Sequence, residues 1–147
     1  MASVALSDLS VVLGRQPILD RVSLDLADGT FAAVVGPSGT GKTTLLRAIA
    51  GLVKPSGGFI TFDGHDVARL DAAQRDIGMV FQTSALLPHR NVQRNVEFPL
   101  ELRRQTADEI HERVSAEARA MHIEHILRRS PSSLSVGEQQ LVQIART

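Results

Sequence analysis

Eight consecutive residues, Gly36-Pro37-Ser38-Gly39-Thr40-Gly41-Lys42-Thr43, set three glycines, one ammonium and hydroxyls at the spacing G-x-x-x-x-G-K-T. Glycines at 36, 39 and 41 let backbone N–H groups turn inward toward an anion with no Cβ in the way. A helix that begins where such a loop ends adds the positive end of its dipole to the same point. Lys42 then reaches the outer phosphates of a nucleotide, and the Thr43 hydroxyl can ligate Mg²⁺. The candidate binding set is therefore Gly36, Pro37, Ser38, Gly39, Thr40, Gly41, Lys42, Thr43 and Thr44. Lys42 and Lys54 are the only lysines in a chain with many arginines. A compact ammonium fits inside a closed loop where a planar guanidinium does not. The plainer reading is a glycine-rich turn before an ordinary helix, and the elements on either side weigh against it.

Those elements read as follows. Phe31-Ala32-Ala33-Val34-Val35 is an apolar run that predicts a strand leading into the loop, and Thr43–Ala50 predicts the helix leaving it. Val4–Val12 and Val22–Leu26 predict short strands, the second alternating Val22, Leu24 and Leu26 with Ser23 and Asp25. Asp28-Gly29 is a turn, Lys54–Gly58 a loop, and Phe59–Phe62 a strand that ends in the Asp63-Gly64 turn. Ile77-Gly78-Met79-Val80-Phe81 carries little polarity on either face and predicts a strand buried on both sides. Thr106–Met121 has a helical pattern, with Ala107, Ile110, Val114, Ala118 and Met121 three or four residues apart. Its other face, with Asp108, Glu109, Glu112, Arg113, Glu117 and Arg119, reads as solvated. The set indicates an α/β fold.

Bulk properties narrow the function. A length of 147 residues suggests one domain with a real core. The net charge of zero gives no basic field for nucleic acid or an anionic membrane. With no cysteine there is no disulfide framework and no thiolate metal site, which suits a reducing cytosol. The first residues lack the basic and apolar regions of a signal peptide, and no apolar run approaches the roughly 20 residues that span a bilayer. Membrane association is thus expected only through a partner.

Two further segments choose among phosphate-binding proteins. Gln82 sets a polar amide at the carboxyl end of a predicted strand, where ligands of open α/β sheets sit. Ser133-Leu134-Ser135-Val136-Gly137-Glu138-Gln139-Gln140 precedes a helical run with Leu141, Val142, Ile144 and Ala145. Taken alone, Ser135-x-x-Glu138 is a capping box and reads as a helix start. With the glycine loop, these segments give a chain that resembles the ATP-binding subunit of ABC transporters over nearly its whole length. The resemblance implies a P-loop NTPase core with an antiparallel β subdomain and a helical subdomain. These cover about 1–90 for the β subdomain and P-loop core, about 91–134 for the helical subdomain, and 135–147 for the start of a signature helix. It implies ATP and Mg²⁺ as ligands, with Lys42 and Gln82 in catalytic roles and Thr43 and Gln82 near the metal. Leu134-Ser135-Val136-Gly137-Glu138 falls on the LSGGQ signature, which implies that Ser135 and Gly137 face the γ-phosphate held on a second, identical or related, subunit. The partners implied are transmembrane permease subunits and no nucleic acid, and the place implied is the cytoplasmic face of the membrane. The segments around 36–47 and 81–89 look most like importers, in particular the sugar-type branch.

Departures from the family pattern carry expectations of their own. Val136 and Glu138 differ from the signature, and a β-branched residue at 136 is expected to hold that loop off the phosphate. The region where the family places an adenine-stacking aromatic holds Leu13-Gly14, without the aromatic stacking contribution of about 1–3 kcal/mol. No apolar strand ending in Asp-Glu and no switch histidine follows Ile144-Ala145-Arg146-Thr147; Asp63, Asp66 and Asp76 read as turn or surface residues. The histidines at 65, 89, 111, 122 and 125 form no metal-ligand spacing. The chain is accordingly expected to be truncated at its C-terminus, to bind ATP without efficient hydrolysis, and to be poorly stable alone because of an exposed sheet edge. The alternatives are a non-functional remnant and a soluble P-loop kinase or GTPase, the latter leaving Gln82 and residues 134–140 unexplained.

Overall fold

The structure, a computed structural model, describes residues 2–83 and 85–147. It forms two compact units, Met1–Ile77 and Gly78–Thr147.

The first unit is built on a β-sheet. Strands β1 (Val4–Leu13), β2 (Gln16–Leu26), β3 (Gly57–Phe62) and β4 (His65–Asp66) pair in the order β2-β1-β3-β4, every pair antiparallel. Gly14 and Arg15 turn β1 into β2, and Asp63-Gly64 turns β3 into β4, with both Asp63 and Gly64 at positive φ as a tight hairpin requires. Strand β1 buries Leu6, Leu9 and Val11. The step of three from Leu6 to Leu9 breaks strict alternation, and the ladder shifts register at that point. Asp8 sits there at φ 49, and the extra residue resets the pleat so that both leucines face the core. Gly58 is the partner that allows it, since a Cβ at 58 would lie 2.4 Å from the Asp8 carbonyl oxygen. Helix α1 (Lys42–Ile49) packs Leu45 and Ala48 on this face with Leu6, Leu9, Val11, Leu19, Ile60 and Val67.

Two expected strands do not form. Phe31–Val35 lies outside the sheet, with Phe31 94% and Val35 87% exposed. Ile77–Phe81 is likewise not a strand, and Ile77 and Val80 are exposed rather than buried on both sides. Both runs have strand composition, but a strand exists only through ladder bonds to a neighbour, and a parallel strand needs that neighbour from a distant crossover. Among the described residues neither run has one. The sheet of this α/β fold is therefore antiparallel throughout.

The second unit is helical: α2 (Val92–Leu102), α3 (Ala107–Ala120) and α4 (Val136–Ala145), with single turns at Glu124–Ile126 and Pro131–Ser133. Its core joins Val92 and Val96 to Val114, Ala118, Ile123, Ile126, Leu134, Val142 and Ala145. The apolar pattern of α3 is as the sequence predicts except at Ala107, which lies exposed in the first turn. Thr106 caps α3: its amide donates to the Glu109 carboxylate at 2.8 Å and its hydroxyl accepts from the Glu109 amide. Asn95, fully buried, accepts from the Leu87 amide at 2.7 Å and donates to the carbonyls of Leu87, Arg90 and Asn91. One side chain thereby holds the loop that enters α2. Among the described residues, no helix is long and apolar enough to cross a membrane.

Candidate functional site: the loop at the start of helix α1

The loop curls around one ammonium. Lys42 Nζ donates to the carbonyls of Gly36, at 2.9 Å, and Pro37, and lies 3.4 Å from Thr40 Oγ1. Thr40 Oγ1 donates in turn to the Pro37 carbonyl at 2.9 Å. Gly36, Gly39 and Gly41 have φ of 154, 83 and 88°, which side-chain-bearing residues rarely adopt. Gly41 has a second reason to be glycine. A Cβ there would lie 2.8 Å from Leu19 Cδ2 and 3.1 Å from the Ile18 carbonyl oxygen, both on β2. Gly41 is the N-cap of α1, and its carbonyl accepts from the Leu45 amide at 2.8 Å.

The electrostatics favour an anion. The first turn of α1 contains no acidic residue, so the positive end of the helix is uncompensated by a carboxylate. Residues 31–40 are exposed, which leaves the loop open to solvent. A cleft of about 220 Å³ beside it is lined by Ile18, Gly39, Gly41, Lys42, Thr43 and Thr44. The donor set fits a phosphate chain: glycines without side chains in the cradle, a lysine whose carbonyl partners can be exchanged for phosphate oxygens, and an exposed Thr43 hydroxyl for a cation.

Ile18 was not legible in the motif. It reaches the cleft because β2 passes beside the loop, a contact between residues more than twenty positions apart that no local pattern encodes. Leu13, at the end of β1, is 47% exposed beside the hairpin turn at Gly14.

The other candidate residues belong to the second unit. Gln82 is exposed, just after the 77–81 run. Ser135 is the N-cap of α4, its hydroxyl accepting from the Glu138 amide while the Glu138 carboxylate accepts from the Ser135 amide at 2.7 Å. Arg129 pairs with the same carboxylate at 3.3 Å. The Ser135 amide and hydroxyl, then Arg129 and His125, hold the Glu138 carboxyl below the usual carboxylate range. The N-terminus of α4 thus already carries a carboxylate, unlike that of α1. Gly137 has open space around its Cα, and Val136 is 75% exposed at the first position of the helix. The valine meets no crowding there because its side chain points to solvent.

All five histidines are exposed, and Asp63, Asp66 and Asp76 occupy turn or surface positions. Among the described residues, no three of His, Asp or Glu gather closely enough to hold a metal by themselves.

The family model described as ABC transporter matches residues 19–147. The chain is 43% identical over 146 residues to the sn-glycerol-3-phosphate import ATP-binding protein UgpC 1 of Rhizobium etli, covering 99% of this chain and 42% of that protein. It is 42% identical over 148 residues to the sulfate/thiosulfate import ATP-binding protein CysA of Caulobacter vibrioides (98% and 44% covered). It is also 42% identical over 146 residues to the lactose transport ATP-binding protein LacK of Rhizobium radiobacter (99% and 40%). The chain spans about two-fifths of the length of these relatives.

Proposed function

The chain belongs to the ABC transporter family, and on that premise we propose that it is an ATP-binding piece of an importer-type transporter. The observation that carries this reading is the loop closed on Lys42 at an acid-free helix N-terminus. In this role Gly36–Thr44 hold the phosphates, Lys42 exchanges the Gly36 and Pro37 carbonyls for outer phosphate oxygens, and the Thr43 hydroxyl takes Mg²⁺. When bound, the metal neutralises phosphate charge. Gln82 serves near that metal and the attacking water. Ser135 and Gly137 face nucleotide held by a second ATP-binding subunit, while permease subunits keep the assembly on the cytoplasmic face of the membrane. The names of these relatives span a phosphorylated polyol, inorganic sulfur oxyanions and a disaccharide, so similarity at this level does not select the solute.

No apolar run ending in Asp-Glu occurs within residues 1–147. For this stretch alone we assign binding of ATP, with hydrolysis far slower than phosphoryl-transfer sites with a positioned base achieve. The test is titration of the purified chain with a fluorescent ATP analogue and Mg²⁺, beside Lys42→Ala. Saturable binding that the substitution weakens a hundredfold or more supports the reading. Equal binding by both proteins, or none by the unsubstituted chain, refutes it.

A further inference from the structure

Arg75 is the most buried charged side chain in the first unit, 5% exposed, and burial pulls its guanidinium below the usual arginine range. All its described hydrogen bonds go to carbonyl oxygens. Nη1 donates to Ala48 and Ile49, each at 2.8 Å, Nε to Leu70 at 3.1 Å and Nη2 to Ala68 at 3.2 Å. Ala48 and Ile49 close α1 (Lys42–Ile49). The Ile49 carbonyl is one that the helix end leaves without an internal partner, the Ala48 carbonyl also accepts from the Gly51 amide at 3.1 Å, and a cation there meets the negative end of the helix dipole. The other two carbonyls belong to the segment after β4, which is fixed to the sheet: the Val67 amide donates to the Ile60 carbonyl at 2.8 Å, and the Ala68 amide to Asp66 Oδ1 at 2.9 Å. Gly51 makes room for this fork. Its φ is +77, and a Cβ on it would lie 2.7 Å from Arg75 Nε and 3.0 Å from the Ala72 amide nitrogen.

We propose that Arg75 is a positioning residue for the nucleotide loop: it ties the C-terminal end of α1 to the sheet and so sets where Lys42 and Thr43, at the other end, point. Leu45 and Ala48 bury one face of α1, which fixes the helix laterally but allows it to pivot. Lys42 lies about 7 Å along the axis from the middle of the Leu45–Ala48 contact, so a tilt of about 8° about that contact displaces it by about 1 Å. That is enough to break amide-to-phosphate hydrogen bonds, whose useful range is a few tenths of an ångström. The planar fork matters, since one ammonium cannot reach both the helix end and the 68–70 carbonyls in fixed geometry.

The proposal rests on the nucleotide-binding reading, and the experiment separates the two. Affinity for the fluorescent ATP analogue with Mg²⁺ is measured for the chain, for Arg75→Met and Arg75→Lys, and for Val11→Ala. Val11→Ala loosens from β1 the same core that α1 packs on, while leaving every hydrogen bond of Arg75 in place. All are compared in buffer where circular dichroism shows each to be folded. Tenfold weaker binding by Arg75→Met and a smaller loss in Arg75→Lys, with Val11→Ala binding as the unsubstituted chain does, is the expected result. Should Arg75→Met fail to fold, Arg75→Lys against Val11→Ala decides. Unchanged affinity in the folded Arg75 variants, or an equal loss in Val11→Ala, overturns the positioning role while leaving the binding reading intact. Failure of the unsubstituted chain to bind overturns the binding reading itself, and this proposal with it.

Discussion

Gly39 and Gly41 offer a comparison in which the folded structure assigns different costs to the same substitution. Both have positive φ, 83 and 88°. Placing alanine at either costs about 1–2 kcal/mol for the left-handed conformation, partly offset by about 0.4–1 kcal/mol because alanine stiffens the unfolded chain. Gly39→Ala meets nothing within 4 Å, so its net cost should stay near 1 kcal/mol. Gly41→Ala adds a Cβ 2.8 Å from Leu19 Cδ2, 3.1 Å from the Ile18 carbonyl and 3.3 Å from Ile18 Cγ2. Leu19 is itself buried in the sheet core, and the carbonyl belongs to β2, so neither yields freely. Overpacking of this kind costs about 1–3 kcal/mol more. Urea unfolding of the three proteins, followed by far-ultraviolet circular dichroism, should therefore rank Gly41→Ala below Gly39→Ala by at least about 1 kcal/mol at equal denaturant slope. ATP-analogue binding should fall in the same order, because the loop and the start of α1 escape the clash by moving away from β2. Equal midpoints for the two variants would show that the β2 wall behind Gly41 is absent in solution, and with it the stated reason for glycine at the helix cap.

Other outcomes follow from single contacts. Asn95→Ala strips the side-chain partner from the Leu87 amide and the Arg90 carbonyl, while the Leu87 and Asn91 carbonyls keep the amides of Arg90 and residue 95; a loss of about 1–3 kcal/mol is expected, with amide-exchange protection lost at residue 87, and retained protection there would contradict it. Ser135→Ala should cost about 1 kcal/mol through the cap of α4, as read by thermal unfolding. Glu109 and Glu138 are held below the usual carboxylate range by Thr106 and Ser135, so the stability they contribute is complete above about pH 4.3, the unfolded glutamate value, and is lost as pH falls through their lower folded values. Glu138→Gln should flatten part of that acid decline, and an unaltered profile would remove the capping carboxylate from the account. Phe31→Asp should reduce self-association of the chain in sedimentation velocity, since Phe31 and Val35 present apolar surface on an unpaired segment.

Much of the candidate site could be read from residue types alone because the reasons are local. Glycine at 36, 39 and 41 reports a backbone conformation, and Ser135-x-x-Glu138 reports a helix start whose capping hydrogen bonds span three residues. The pattern of Leu6, Leu9 and Val11 was legible as a strand but not as a bulged one, because the offset is decided by the glycine opposite, at 58.

The residues by themselves thus determined the phosphate-shaped loop, the helix caps and the family, since each is encoded within a handful of neighbouring positions. Tertiary structure alone decided three other matters. Phe31–Val35 and Ile77–Phe81 stay outside any strand, because ladder bonds need a partner that strand propensity cannot provide. Ile18 and Leu19 stand behind Gly41 because β2 returns past the loop. Arg75, unremarkable in sequence, closes the far end of α1 because folding brings the distant carbonyls of Ala48 and Ile49 within reach of a planar cation that also holds the nearby Ala68 and Leu70 carbonyls.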